Sequence, residues 1–113
     1  MTQALHILLM NYITEIRNIF GGHLQEVILF GSYARGDFRN DSDIDIMILV
    51  DLDDMAAKEY QDQVCDETYD FNLENQVDIR PIIKNETHFR KWVNVYPFYS
   101  NVNREGVKIF DAA

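Results

Sequence analysis

The sequence predicts a small α/β (α+β) fold, in which a mixed β-sheet carries helices packed mainly on one face. Three observations carry that prediction. Segments of helical periodicity alternate with short apolar runs in the order α-β-β-α-β-α-β, the pattern of a sheet layered with helices. One of those runs, DIDIMILV at 43–50, becomes apolar on both faces after Asp45, as a central strand covered on each side does. The 113 residues, 47% of them apolar, suit one domain with one core.

Each element follows from local pattern. Over about 2–20, Leu5, Leu8, Leu9, Tyr12, Ile13, Ile16, Ile19 and Phe20 recur at i, i+3, i+4 and i+7, and Gly21-Gly22 stops the helix. EVILF at 26–30 is an expected buried strand, ended by Gly31. Residues 43–50 form the second strand. DLDD at 51–54 supplies N-cap acids for a helix reaching about Phe71, with Met55, Ala56, Tyr60, Val64 and Cys65 as its buried side. QVDIRPII at 76–83 is the third strand, and Pro81 places it at an edge or at its own end. Asn85 caps a short helix through Trp92, a further helical turn is expected at 96–102, and GVKIF at 106–110 is the last strand.

Charge narrows the classes of function. The formal net charge is −9, and its distribution is uneven. Residues 37–78 hold 14 acids against Arg39 and Lys58, a balance of −12, whereas the rest of the chain carries 5 acids and 8 bases. Extended nucleic-acid contact needs clustered cations, so this charge argues against it. Concentrated carboxylates suit divalent cations or a solvated helix face. The single cysteine, Cys65, excludes an internal disulfide and reads as a small core residue of a reduced, cytoplasmic protein. Neither a signal-peptide pattern nor a membrane-length apolar run is expected.

Asp43 and Asp45 are out of place at the mouth of a buried strand. Side chains alternate along a strand, so both acids share one face, with Cα atoms ~7 Å apart. Like charges that close repel and raise a pKa unless a cation sits between them, and Mg²⁺ prefers such carboxylates together with substrate phosphates. Asp78, between Val77 and Ile79, offers a third carboxylate from another strand, enough for two Mg²⁺ ions. Upstream, Gly31-Ser32 follows a strand and opens a short helical turn, where backbone N–H groups and a hydroxyl can meet phosphate. Each feature has an ordinary structural reading. Gly-Ser is commonly a turn, Asp43 a cap acid, and Asp78 an edge acid paired with Arg80. Together they favour a site.

These residues resemble a known family. Gly31-Ser32, ten intervening residues and Asp43-x-Asp45 match the signature of the DNA polymerase β-like nucleotidyltransferases. The fuller run Gly-Ser-x-Ala-Arg-Gly at 31–36, then Ser42-Asp43-x-Asp45, is similar to the minimal nucleotidyltransferase (MNT) branch. The resemblance implies a single nucleotidyltransferase domain over 1–113 with a polymerase β-like core. It implies that Gly31, Ser32 and Arg35 bind the nucleotide, and that Asp43, Asp45 and Asp78 ligate Mg²⁺ and catalyse. The implied reaction moves AMP from ATP to a hydroxyl and releases pyrophosphate. The implied partner is a HEPN-type ribonuclease toxin, adenylylated on a tyrosine or simply bound.

Two other readings share the signature. An antibiotic-modifying nucleotidyltransferase normally brings a second domain for its acceptor. A binding antitoxin would keep the acids without using them. A nucleic-acid polymerase core fits the charge least well. Arg35 also has a plain role, bracing the loop against Asp37. His6, His23 and His88 lack metal-type spacing, with His6 expected on a helix surface and His23 in a turn. Tyr33 is expected to pack in the loop, with base stacking as its alternative. The aromatic run at 92–102 is expected to close the core or, where exposed, to anchor a partner.

Overall fold

The computed structural model describes residues 1–112. Helix α1 (Gln3–Phe20) begins at Thr2, whose Oγ1 accepts a hydrogen bond from the Leu5 N–H at 3.1 Å. A 3₁₀ turn at Gly21–His23 leads into β1 (Leu24–Phe30). The short α2 (Ser32–Arg35) follows, then β2 (Ile44–Val50). Helix α3 (Asp54–Asn75) starts at Asp53, whose side chain accepts from the Ala56 N–H at 2.8 Å. Then come β3 (Ile79–Asn85), α4 (Glu86–Trp92), α5 (Pro97–Glu105) and β4 (Val107–Asp111). Asn85 caps α4 as its sequence position implied, accepting from the His88 N–H at 2.8 Å.

The four strands form one mixed sheet in the order β3-β2-β1-β4. β1 runs antiparallel to both β2 and β4, and β2 runs parallel to β3. Pro81 therefore lies in an edge strand, where a missing donor costs no ladder bond. On one face, α1 and α3 cover Val27, Leu29, Ile44, Ile46, Ile48 and Val50. On the other, the shorter α4 and α5 bring Phe89, Tyr99 and Val102 onto Ile28, Met47 and Leu49. β2 is thus sandwiched, as its doubly apolar sequence required. Each fully buried side chain in this run contributes about 1.5–3 kcal/mol, enough to hold the strand in place despite two acids at its mouth.

Some boundaries differ from expectation, for local reasons. The third strand starts at Ile79, not at residue 76. Gln76 adopts the left-handed conformation (φ 54°, ψ 47°) that ends α3, and the Asn72 amide bonds both the N–H and the C=O of Ile79. Helix α3 therefore runs four residues past Phe71. Its buried residues are Val64, Thr68 and Phe71. Met55 is 82% exposed, and Cys65 is exposed rather than in the core. The helix rests on the sheet and α1 along a narrow stripe, and both residues fall outside it. The turn expected at 96–102 is a full helix started by Pro97 at its first turn.

One charge is buried on the α4–α5 face. Glu26 is 3% exposed, contacts Arg90 of α4, and lies 3.1 Å from Lys108 Nζ of β4. Two cations on one buried carboxylate offset its desolvation and tie α4 and β4 to β1.

Candidate active site

The ladder between β1 and β2 sets the site. Phe30 and Asp45 are direct partners across it, so the end of β1 and the start of β2 lie side by side. Asp45 is two residues before Met47 and shares its face, the one covered by α4 and α5. The chain between them leaves β1 through Gly31 at φ +73°, makes the single turn of α2, and leaves that turn through Gly36.

Gly31 is required here twice over. Its positive φ is strained for any other residue. A Cβ at this position would also lie 2.2 Å from Asp45 Oδ2 and 3.2 Å from Asp45 Cγ. The Asp45 carboxylate occupies the space that the missing side chain leaves. The glycine and the second acid of the signature are thus two halves of one contact.

The carboxylates do not behave alike. Asp45 titrates above the usual carboxyl range, chiefly because it is partly desolvated and secondly because Asp43 repels it. Asp43 is also raised, first by its hydrogen bond with Asp78 and then by desolvation, while Arg80 opposes the shift. Asp78 is lowered, first by Arg80 and then by Asp43. Arg80 lies between the last two, with Nη1 3.2 Å from Asp43 Oδ2 and Nη2 3.2 Å from Asp78 Oδ2.

The structure brings Asp43 and Asp78 together, while Asp45 stands against Gly31. Among the described residues, no three acids, histidines or cysteines form a ready metal cluster. The donor set nevertheless suits a divalent cation. Two of the acids resist ionising together, and a guanidinium already serves as counter-ion between Asp43 and Asp78.

Asp78 lies outside the strand expected to carry it, one residue ahead of β3. It is still positioned by backbone, because its C=O accepts the Ile44 N–H at 2.8 Å. Gly31, Ser32, Arg35, Asp43 and Asp45 line one open cleft of about 460 Å³. Arg35 braces the loop as the plain reading held, with Nε 3.3 Å from Asp37 Oδ2 and Nη1 3.6 Å from Glu105 Oε2. From the sequence, Arg80 is expected only as a partner for Asp78. Its second contact, to Asp43, depends on the parallel β2–β3 register that pairs Asp45 with Arg80, which no local pattern shows.

The site is thus a glycine-floored loop beside acids at the mouths of two neighbouring strands, on a mixed sheet backed by two long helices. Residues 14–95 match the family model described as "Polymerase beta, Nucleotidyltransferase", and the chain belongs to that family. A Methanocaldococcus jannaschii protein named "Putative protein adenylyltransferase MJ0604" is 37% identical over 95 residues, covering 84% of this chain and 87% of its own. Among solved structures, a "putative minimal nucleotidyltransferase" superposes with a TM-score of 0.58 at 17% identity, over 93% of this chain and 92% of that one. The MNT antitoxin complexed with the tri-AMPylated Shewanella oneidensis HEPN toxin gives 0.52 at 19% identity, over 94% and 71%. These structures share the fold. Among the described residues, no helix is long and apolar enough to cross a membrane.

Proposed function

We propose that this chain is a Mg²⁺-dependent protein adenylyltransferase that moves AMP from ATP to a hydroxyl of a partner protein, a HEPN-type toxin, and so acts as its antitoxin. The observation that carries the reading is the seating of Asp45 in the space left by Gly31, in one cleft with Ser32, Arg35 and Asp43, to which Arg80 joins Asp78. The protein adenylyltransferase named among the relatives and the AMPylated toxin bound to a neighbour of the same fold support it.

Asp43, Asp45 and Asp78 would hold the Mg²⁺. When bound, the metal supplies charge neutralisation of the triphosphate and lowers the cost of ionising the acceptor hydroxyl. Gly31 and Ser32 hold the phosphates with backbone N–H groups and a hydroxyl, and Arg35 adds a fixed positive charge at the same loop. The acceptor oxygen bonds to the α-phosphorus, the bond to the bridging oxygen of the β-phosphate breaks, and pyrophosphate leaves. Asp78, held ionised by Arg80 and Asp43, takes the hydroxyl proton. The solvent-exposed Cys65 thiol is compatible with a reducing cytoplasm.

The test incubates the purified chain with its partner, Mg²⁺ and ATP labelled on the α-phosphate, and weighs both proteins. An AMP-sized gain on the partner is expected, absent with Asp43→Asn/Asp45→Asn. Full transfer by that double variant would sink the reading. A stable complex without any gain would make the chain a binding antitoxin.

A further inference from the structure

We propose that the cavity between α5 and the mouth of β1 is the subsite for the purine base of the nucleoside triphosphate, with Phe98 as the ring it stacks on and Asn101 as the amide at its edge. This inference rests on the nucleotidyl-transfer reading and adds to it the site that distinguishes a nucleotide from a bare triphosphate.

The cavity measures about 230 Å³ and is floored by Phe30, Phe98 and Val102. It shares Gly31 and Arg35 with the acid cleft, so the two adjoin. An apolar floor with a few polar groups at its rim is what a flat heterocycle needs. Phe98 is 43% exposed, unusual for a phenylalanine. Its ring neighbours meet it at an angle, Phe30 at 77° and Tyr99 at 46°, so neither ring is stacked parallel on it. Asn101 is anchored through Oδ1, which accepts from Arg104 Nη2 at 2.9 Å. The Arg35–Glu105 pair joins α5 to the phosphate loop, which keeps the two parts of a nucleotide site in step.

Other neighbouring hollows fit a base less well. The cavity beside Tyr33 shares no residue with the acid cleft, and Phe38 already stacks on Tyr33 at 4.3 Å and 6°. The hollow on the Asp78 side adjoins the cleft at Asp41 and Ser42, but its walls mix Tyr33, Ile44 and Val77 with Asn40, Gln76 and Asp78 and are more polar than the floor of Phe30, Phe98 and Val102. That side borders the proposed proton acceptor and suits the incoming hydroxyl. A triphosphate lying across Gly31 between the two hollows therefore places its base toward α5.

The experiment measures binding of ATP and of inorganic triphosphate, each with Mg²⁺, by calorimetry. It uses the whole chain as wild type, Phe98→Ala, Phe98→Leu and Asn101→Ala. Phe98→Leu keeps an apolar contact with Phe30 and so guards against a folding defect. Both Phe98 variants are expected to weaken ATP about tenfold, the size of a lost aromatic stack, and to leave inorganic triphosphate within about twofold. Asn101→Ala is expected to weaken ATP alone, by a smaller factor. ATP binding unchanged in both Phe98 variants, or both ligands weakened equally, overturns the subsite and leaves the transfer reading standing. If the wild-type chain binds neither ligand, the transfer reading fails and the subsite goes with it.

Discussion

Arg80 and Asp43 form an ion pair across the parallel β2–β3 edge, with Nη1 3.2 Å from Oδ2. The same guanidinium holds Asp78 at 3.2 Å. A side chain thus neutralises two of the carboxylates proposed to bind metal. Arg80→Gln removes that competing cation and leaves the acids with no counter-charge of their own. The variant is expected to bind Mg²⁺ a few-fold more tightly and to be less stable than wild type without metal near neutral pH. Thermal unfolding across a Mg²⁺ titration reads both effects. Unchanged Mg²⁺ dependence would show that Arg80 does not compete.

Asp43 and Asp45 are expected to separate activity from stability. Asp43→Asn or Asp45→Asn should lower transfer by about a thousandfold or more, because charge stabilisation at the reacting phosphate is lost. Neither should lower the thermal midpoint at pH 7. Both folded pKa values lie above the ordinary 3.8, so ionising these groups favours the unfolded chain. Their stabilising contribution is complete below 3.8 and disappears as pH rises through the raised values. Asp78, with its lowered pKa, works in the opposite sense. Its contribution is present above 3.8 and is lost as pH falls through the folded value. Asp78→Asn should therefore destabilise the metal-free protein at pH 7 where Asp45→Asn does not, as paired melts would show.

Gly31→Ala addresses the contact with Asp45. At φ 73° and ψ −155° Gly31 occupies backbone space essentially reserved for glycine, which costs an alanine about 1–3 kcal/mol and lowers the thermal midpoint by roughly 5–15 °C. The larger effect falls on activity, because the new methyl group displaces the Asp45 carboxylate from its seat. Transfer should drop far more than the melt implies, and adding Asp45→Gly should restore stability in part but not transfer.

Glu26 tests the α4–α5 face. Arg90→Met/Lys108→Met leaves its carboxylate buried without a partner, which is expected to cost about 3 kcal/mol in denaturant unfolding. Adding Glu26→Gln removes the stranded charge and should recover most of that loss. Failure to recover would mean that the cations matter for packing rather than for charge.

The sequence made the core of the site readable because its parts lie close together in the chain. Gly31, Ser32, Asp43 and Asp45 belong to one short stretch, and the β1–β2 ladder sits directly on it. Alternation along β2 places Asp45 on the face of Met47, whereas Asp43, expected inside the strand, lies one residue ahead of it. Arg80 and the cavity under α5 were less legible. They depend on which strands become neighbours and on how a helix far along the chain settles on the sheet. Asp78 was found as a residue but misplaced by a strand boundary, since left-handed closure at Gln76 is rare outside glycine and has no clear local signal. The misassigned side of α3 was legible in the spacing. Ala57, Tyr60, Val64, Thr68 and Phe71 recur at i+3 and i+4 on a face that carries none of the helix's acids, and Met55 and Cys65 lie off that face.

Because Phe30 and Asp45 are clamped to each other by the sheet, the segment from 31 to 44 is a closed loop on a fixed base. Its exposed part, around 37–41, can lengthen without moving either foot, and the entropic cost of closing a loop grows only slowly with its length. Gly31 and Asp45 are thus insulated from the length of the segment between them, although Asp37, Asp41 and Asp43 belong to it. Such a scaffold tolerates a change of length at 37–41 while Gly31 and Asp45 keep their contact.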